Sequence, residues 1–302
     1  MDDPQIEVIQ FGGCQVRLAP EAGGVMTGFL SQEGGKVRHW MREVSLDALR
    51  RESAFAAACY PLVPFSNRIA YGRFTYGGQD VVLPPDPLLP PHAIHGHGWR
   101  AVWQVSEHSA AAITLRYRHT ADSWPWSYEA SQRFSLDEKG LKVEMTLSNL
   151  SDMAMPAGFG LHPHFPLNGE VCVLATVAAA HLSDETLLPV GQSCVHDAIG
   201  PLREGGNLPE DLDLCFGGWD GCAEILWPEE ACGLRITASR ELKHLVVFTP
   251  PGEDFFCVEP VSHCINAVNL EGSDWGETGL VHLAPSETLA ASVLFQPFKV
   301  EP

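Results

Sequence analysis

The dominant period along this chain is two. Leu141-Lys142-Val143-Glu144-Met145-Thr146-Leu147-Ser148 alternates apolar and polar residues without a break, the pattern of a strand with one face on a core and the other toward water. Runs of the same kind occur at 14–18, 112–117, 128–136, 234–238 and 292–295. Two further runs are apolar throughout, Leu245-Val246-Val247-Phe248 and Phe255-Phe256-Cys257-Val258, and predict strands covered on both faces. Glycine pairs at 12–13, 23–24, 34–35, 77–78, 205–206 and 217–218 supply the positive φ that tight connections need. With 28 Gly and 23 Pro, few segments can sustain a helix. The best candidate is 45–51, with Ser45 as N-cap ahead of Leu46 and Leu49. Many strands and few helices predict an all-β fold of stacked antiparallel sheets. There is no internal repeat, charge block or linker-like tract. The proline-rich stretch 83–91 is too short and apolar to separate domains and reads as a rigid surface loop. A single domain over 1–302 is expected.

Composition narrows the partners. Lys+Arg 19 against Asp+Glu 38 gives a net charge of -19, a field that repels nucleic acid and anionic lipid, so neither is expected as a partner. The nine cysteines are odd in number, lack C-x-x-C spacing and often sit inside apolar runs. They read as reduced thiols, not as a disulfide framework. The acidic start, Met1-Asp2-Asp3-Pro4, has no apolar region of a secretory signal, and no run is long enough for a membrane helix. A cytoplasmic protein is expected, with a homodimer left open.

Four segments carry more chemistry than strand patterning requires. In Tyr60-Pro61-Leu62-Val63-Pro64-Phe65-Ser66-Asn67-Arg68-Ile69 the guanidinium stands in apolar surroundings and needs a partner. His92-Ala93-Ile94-His95-Gly96-His97-Gly98-Trp99-Arg100 invites a metal reading, since in an extended segment His95 and His97 share a face, as zinc ligands can. No further ligand type follows at a familiar spacing, so no metal is expected, and the glycines suggest a backbone that approaches a ligand closely. In Gly158-Phe159-Gly160-Leu161-His162-Pro163-His164-Phe165-Pro166 the proline argues for a strand end or corner carrying two histidines. In Asp254-Phe255-Phe256-Cys257-Val258-Glu259-Pro260-Val261-Ser262-His263 a carboxylate closes an apolar run, where it must be paired, with Arg68 for example, or functional.

Taken together, Asn67-Arg68-Ile69 with Gly72-Arg73-Phe74, then His95-Gly96, His162-Pro163-His164-Phe165, Leu212-Asp213 ahead of Cys215-Phe216, and Glu259-Pro260 resemble the ordered signature of the aldose 1-epimerase (galactose mutarotase) family. The resemblance runs from about Tyr60 to the C-terminus. It implies an antiparallel β-supersandwich with a sugar-binding cleft on one sheet face and no cofactor. It further implies Glu259 as general base and His162 as general acid, with Asn67, Arg68, His95 and Asp213 binding sugar oxygens. Three positions depart from the commonest pattern of the family. His92 and Leu161 stand where Asn often does, and His164 replaces a Tyr, which opens the choice of sugar.

The implied chemistry suits these residue types. Anomer exchange removes a proton from the C1 hydroxyl while one is delivered to the ring oxygen, and then reverses after rotation about C1–C2. A Glu near pKa ~4.3 is ionised at neutral pH, and a His near ~6.5 can deliver a proton if negative charge from Glu259 and Asp213 keeps it protonated. The two are expected to face one another across a sugar-sized gap. Trp124, in Trp124-Pro125-Trp126, or Trp99 would stack on the apolar face of the sugar. Three rivals remain open. A hexose 6-phosphate 1-epimerase would use Arg73, Arg100 or Arg133 for the phosphate; the others are a non-catalytic sugar-binding domain and a metal-dependent hydrolase built on the histidine cluster.

Overall fold

The computed structural model describes residues 5–45, 47–49, 53–207 and 209–300. All the alternating runs but the one at 14–18, which joins the larger sheet, become strands of one eight-stranded antiparallel sheet, in the order Gln104–His108, Ala112–His119, Tyr128–Asp137, Gly140–Asn149, Thr288–Lys299, Cys232–Ala238, Cys222–Trp227, Cys172–Ala175. Along Tyr128–Asp137 and from Leu141 to Asn149 burial alternates residue by residue, as expected where one face packs and the other is wet.

The apolar runs lie at the centre of a larger sheet. Its order is Glu7–Phe11, Cys14–Ala19, Val25–Glu33, Cys59–Leu62, Gly160–Pro166, Phe255–Val261, His244–Thr249, Leu212–Gly217, Ala179–Ser183, Pro189–Ser193, with Lys36–Met41 pairing beside Val25–Glu33. Both of its faces are covered at the centre. On one face Cys59, Leu161, Phe165, Phe256, Val258, Leu245, Val247 and Phe216 join residues of the eight-stranded sheet, such as Phe134, Val143, Ile236 and Val293, in the main core. On the other, Tyr60, Leu62, Val261, Val246 and Cys215 form a second cluster with Ile94, Trp99, Cys264 and Ile265 from the connecting loops. The fold is therefore the expected antiparallel β-supersandwich.

The expected surface loop 83–91 is mostly exposed, though Asp86 within it is buried and ion-paired to Arg100 at 2.8 Å. The expected helix at 45–51 is described only in part. Residues 47–49 are helical, and Ser45 caps the turn by accepting the Ala48 N–H on its Oγ at 3.2 Å. Residues 46, 50 and 51 lie outside the described residues. Among the described residues no helix is long and apolar enough to cross a membrane.

Phe165 anchors the central strand to the main core, fully buried and 5.7 Å from the Phe256 ring. Phe165→Ala is expected to cost about 3–5 kcal/mol through lost burial and the cavity left behind. Equilibrium denaturant unfolding reads this directly, and a loss below about 1 kcal/mol would show that the strand is held by something else.

Candidate active site

Side chains two apart on a strand share a face, and directly paired residues of adjacent strands do too. The ladder pairs Tyr60 with His162, Gly160 with Val261, His164 with Cys257, Val246 with Glu259, and Asp213 with Phe248. That register puts Tyr60, His162, His164, Glu259, Phe248 and Asp213 on the loop-covered face, in neighbouring rows. Leu161 falls on the opposite face and is core. The Asn that often stands there in relatives is therefore not replaced by a ligand-facing group.

Two loops complete the site. Asn67 (φ 57) and His95 (φ 60) are both non-glycine residues in the left-handed region, and Gly96 follows at φ 68. They hold each other: the Asn67 N–H donates to His95 Nδ1 at 3.1 Å, and the His95 N–H donates to the Asn67 carbonyl at 2.9 Å. The Val63 carbonyl accepts from His97 N at 2.9 Å and Gly98 N at 3.0 Å. A Cβ on Gly96 would stand 2.2 Å from that carbonyl oxygen, so the close backbone approach expected from the glycines is real. Because His95 Nδ1 is an acceptor, the neutral ring carries its proton on Nε2, which is left as a donor.

The result is a cavity of about 390 Å³. Its polar lining is Tyr60, Asn67, Arg68, His95, His162, His164, Asp213 and Glu259, and its apolar lining is Phe55, Leu89, Ile94, Leu187, Phe248 and Phe255. Six of the seven residues expected from the sequence meet here. Arg68 donates to Asp213 Oδ2 at 3.3 Å and to Asn67 Oδ1 at 3.0 Å, so its partner is Asp213 and not Glu259. Glu259 instead meets His162, Oε1 to Nε2 at 3.2 Å. The expected sugar-sized gap between them is absent; the two side chains are in direct contact. Glu259 Oε2, His162 Nδ1 and His164 Nδ1 are buried without hydrogen-bond partners among the described residues. The His162 ring lies between Tyr60, stacked at 4.5 Å, and His164, stacked at 4.8 Å, with the edge of His95 at 5.4 Å.

The electrostatics correct the expected ionisation. Burial pushes the Glu259 carboxyl well above its usual range, helped by the Asp213 charge and opposed by Arg68. Burial, with the Arg42 charge, lowers His162 to about 3. Negative charge nearby therefore does not keep His162 protonated, because loss of water from the imidazolium outweighs it. The pair holds one proton, and burial favours placing it on the carboxyl. His95 and His164 are likewise lowered well below the usual range by burial and by neighbouring positive groups.

Trp124 is the seventh residue, and the structure does not bring it to the cavity. It is fully buried in the main core against Phe65, Phe74 and Trp126, so it cannot stack on a ligand held there. Trp126 is in the same cluster. Trp99 stands behind the cavity wall, stacked on Tyr60 at 5.5 Å. His92 is buried and accepts the Tyr71 N–H on Nδ1 at 3.0 Å. His97 does not share a face with His95, since the left-handed turn between them sends it onto His119 at 4.5 Å and toward Tyr128. None of Arg73, Arg100 and Arg133 lines the cavity; Arg100 is paired with Asp86, and Arg133 with Glu107 and Glu144.

Two groups, His162–His164–Cys257 and His97–His119–Asp122, have ligand atoms within 4.8 Å of one another. In each, the two imidazoles are nearly parallel, 17° and 4° between planes. In-plane lone pairs of parallel stacked rings do not converge on one ion, and burial keeps the Cys257 thiol protonated. Sequence reasoning missed the lining roles of Tyr60, Phe55, Leu89, Ile94, Leu187, Phe248 and Phe255.

Comparisons with known proteins bear on the family and the fold. A family model described as aldose 1-epimerase matches residues 5–296. The uncharacterized protein YphB of Escherichia coli K12 is 31% identical over 289 residues, covering 87% of this chain and 93% of the relative. A crystal structure from Escherichia coli K12, provisionally assigned as an aldose 1-epimerase, superposes with TM-score 0.87 at 26% identity, covering 98% of this chain and 99% of that one. A galactose mutarotase-like protein from Clostridium acetobutylicum superposes with TM-score 0.83 at 18% identity over 99% of both chains, a likeness of fold alone.

The signs of the two shifts set a stability test. A raised Glu259 pKa means the folded state prefers the protonated form, a contribution present in acid and lost as pH rises through the raised value. The lowered His162 pKa works oppositely, its contribution being lost as pH falls toward 3. Glu259→Gln, which cannot ionise, is expected to gain thermal stability relative to the parent as pH rises from 5 to about 9. Melting curves across that range check it, and a gap that narrows or reverses would mean the carboxylate is stabilised in the fold.

Proposed function

The chain belongs to the aldose 1-epimerase family, and from that premise we propose that it interconverts the α and β anomers of a free hexose by opening and reclosing the sugar ring. The observation that carries this reading is the buried Glu259–His162 contact in the lining of a cavity that also presents Asn67, Arg68, His95 and Asp213. The hydroxyl oxygen and the ring oxygen that exchange protons are both bonded to C1. A base and an acid side by side on one sheet face suit them better than groups on opposite sides of a ring.

The proton count closes. One proton shared by the pair moves along the 3.2 Å contact to give carboxylate and imidazolium. Glu259 takes the proton of the C1 hydroxyl as His162 delivers its own to the ring oxygen; the C1–O bond to the ring breaks and the aldehyde forms. Glu259 is then neutral and His162 unprotonated, so the pair regains the arrangement that burial prefers at rest, and only the transient carboxylate–imidazolium form is disfavoured. After rotation about C1–C2 the transfers reverse and the ring closes on the other face. Arg68, held by Asp213, and the Nε2–H of His95 supply donors for sugar hydroxyls. The nine free cysteines support a cytoplasmic setting.

Anomer exchange, followed by NMR at the anomeric proton of free hexoses, tests the reading. Glu259→Gln and His162→Gln are each expected to lower kcat/KM by about 10²–10⁴-fold. Loss of the last proton of the pair should give an alkaline limb, its position set by the raised Glu259 value. Exchange by Glu259→Gln at the parental rate would remove Glu259 as the base, and a parent no faster than the uncatalysed reaction would leave a sugar-binding module as the better reading.

A further inference from the structure

Building on the epimerase reading, we propose that Leu187 is a specificity-determining residue: with Leu89 it forms an apolar lip on the cavity that selects an uncharged sugar over a phosphorylated or carboxylated one.

Leu187 sits in the turn between strands Ala179–Ser183 and Pro189–Ser193, near the edge of the large sheet. The turn is built from local hydrogen bonds. Asp184 Oδ1 accepts from Thr186 N at 2.8 Å, Thr186 Oγ1 at 2.7 Å and Leu188 N at 3.1 Å, and the Asp184 carbonyl accepts from Leu187 N at 3.0 Å. None of these bonds uses the Leu187 side chain. Its backbone is left-handed, φ 63, a conformation in which glycine or asparagine is cheaper and a branched apolar side chain is unfavourable. The turn would thus close as well or better without this leucine. What the side chain does is line the cavity. Asn67 and His95 are also non-glycine, left-handed and on the cavity wall, and with Leu187 they make three of the eight non-glycine left-handed residues described in the chain.

The second half of the lip comes from a different segment of the chain. Leu89 belongs to the proline-rich loop, is 39% exposed, and lines the same cavity. The two leucines occupy its wall alongside Phe55, Phe248 and Phe255. The one guanidinium among the described lining residues, Arg68, is already bound to Asp213. Two carboxyl groups, Asp213 and Glu259, line the cavity as well. A phosphate or carboxylate on the sugar would therefore lose water against leucine side chains without a free counter-charge from the lining. The C–H surface of a neutral sugar loses nothing there.

The test uses the full chain with Leu187→Gly, Leu187→Asn and Leu187→Lys, measuring exchange kinetics and sugar-induced thermal shifts with a free hexose and its 6-phosphate. Glycine and asparagine relieve the backbone, so both variants should melt no lower than the parent. They should nonetheless raise KM for the free hexose about fivefold or more, with kcat within about twofold. Leu187→Lys should raise the 6-phosphate to free-hexose ratio of kcat/KM about tenfold. A KM unchanged within about twofold in both Gly and Asn variants, or a parent that prefers the 6-phosphate, overturns the proposal. If the parent exchanges no anomers the epimerase reading falls, and the lip is then judged by binding alone. A free-hexose thermal shift that Leu187→Gly abolishes supports it; a shift that survives, or a parent that neither sugar stabilises, overturns it.

Discussion

Everything at this site hangs on the register of two neighbouring strands. Gly160 opposite Val261 and His164 opposite Cys257 put His162 opposite Glu259. A slip of one residue in either strand would turn one of those side chains into the main core, beside Phe165 and Phe256, because the side-chain period of a strand is two. The register is specified from behind. Leu161, Phe165, Phe256 and Val258 are all buried in the core on the far face, and no one-residue shift buries them while keeping Glu259 out of it. Pro163 and Pro260, which lack an N–H, sit at this level of the two strands. Contact between the side chains thus falls where the backbone ladder is thinnest.

The same burial that fixes the register sets the proton chemistry. A sheet covered on both faces offers little water, so two opposite charges in contact there would each forfeit hydration that their attraction repays only in part. Sharing one proton as neutral carboxyl and neutral imidazole avoids that cost, which is why Glu259 moves up and His162 down. Nearer the solvent, Arg68 and Asp213 keep side-chain exposures of 12% and 21% and form an ion pair at 3.3 Å. The cavity is graded accordingly, with neutral proton carriers in its depth and a charged pair toward its edge.

This grading explains what the sequence disclosed. A glutamate ending an apolar run and two histidines around a proline are chemically out of place in strands, so Glu259, His162 and His164 stood out. Asn67, Arg68 and His95 stood out because their segments mix polar groups with Gly and Pro. The sheets were legible from alternation at 128–136 and 141–148, and from the unbroken apolar runs whose second face turned out to be covered by loops. What stayed hidden depends on pairing between distant segments. Tyr60 looks like any strand aromatic until Cys59–Leu62 is placed beside Gly160–Pro166. Trp124 looks like a sugar platform until Phe65 and Phe74 are found against it. Leu187 carries no signal at all, because a leucine after Asp-Glu-Thr says nothing about its φ.

The two loops of the site are fixed by their backbone together with one ring nitrogen. The two loops that carry Asn67 and His95 are bonded to each other by one main-chain pair and by the Asn67 N–H on the His95 ring, and the Val63 carbonyl holds two further amides of the second loop. Each loop is therefore the other's hydrogen-bonding partner, as a sheet edge would be. The left-handed residues follow from this: bringing Asn67 and His95 into reciprocal contact requires both chains to turn sharply at the residue that also faces the cavity. A glycine at either position would ease the turn and remove the group that binds. The chain keeps the side chain and accepts the strain, and it does so again at Leu187, where the retained side chain has no polar group to offer. Left-handed residues occur elsewhere in the chain too, at Tyr71, Asp211, Ala231, Asn266 and Ser286, but at these three positions the retained side chain also shapes the wall of the cavity.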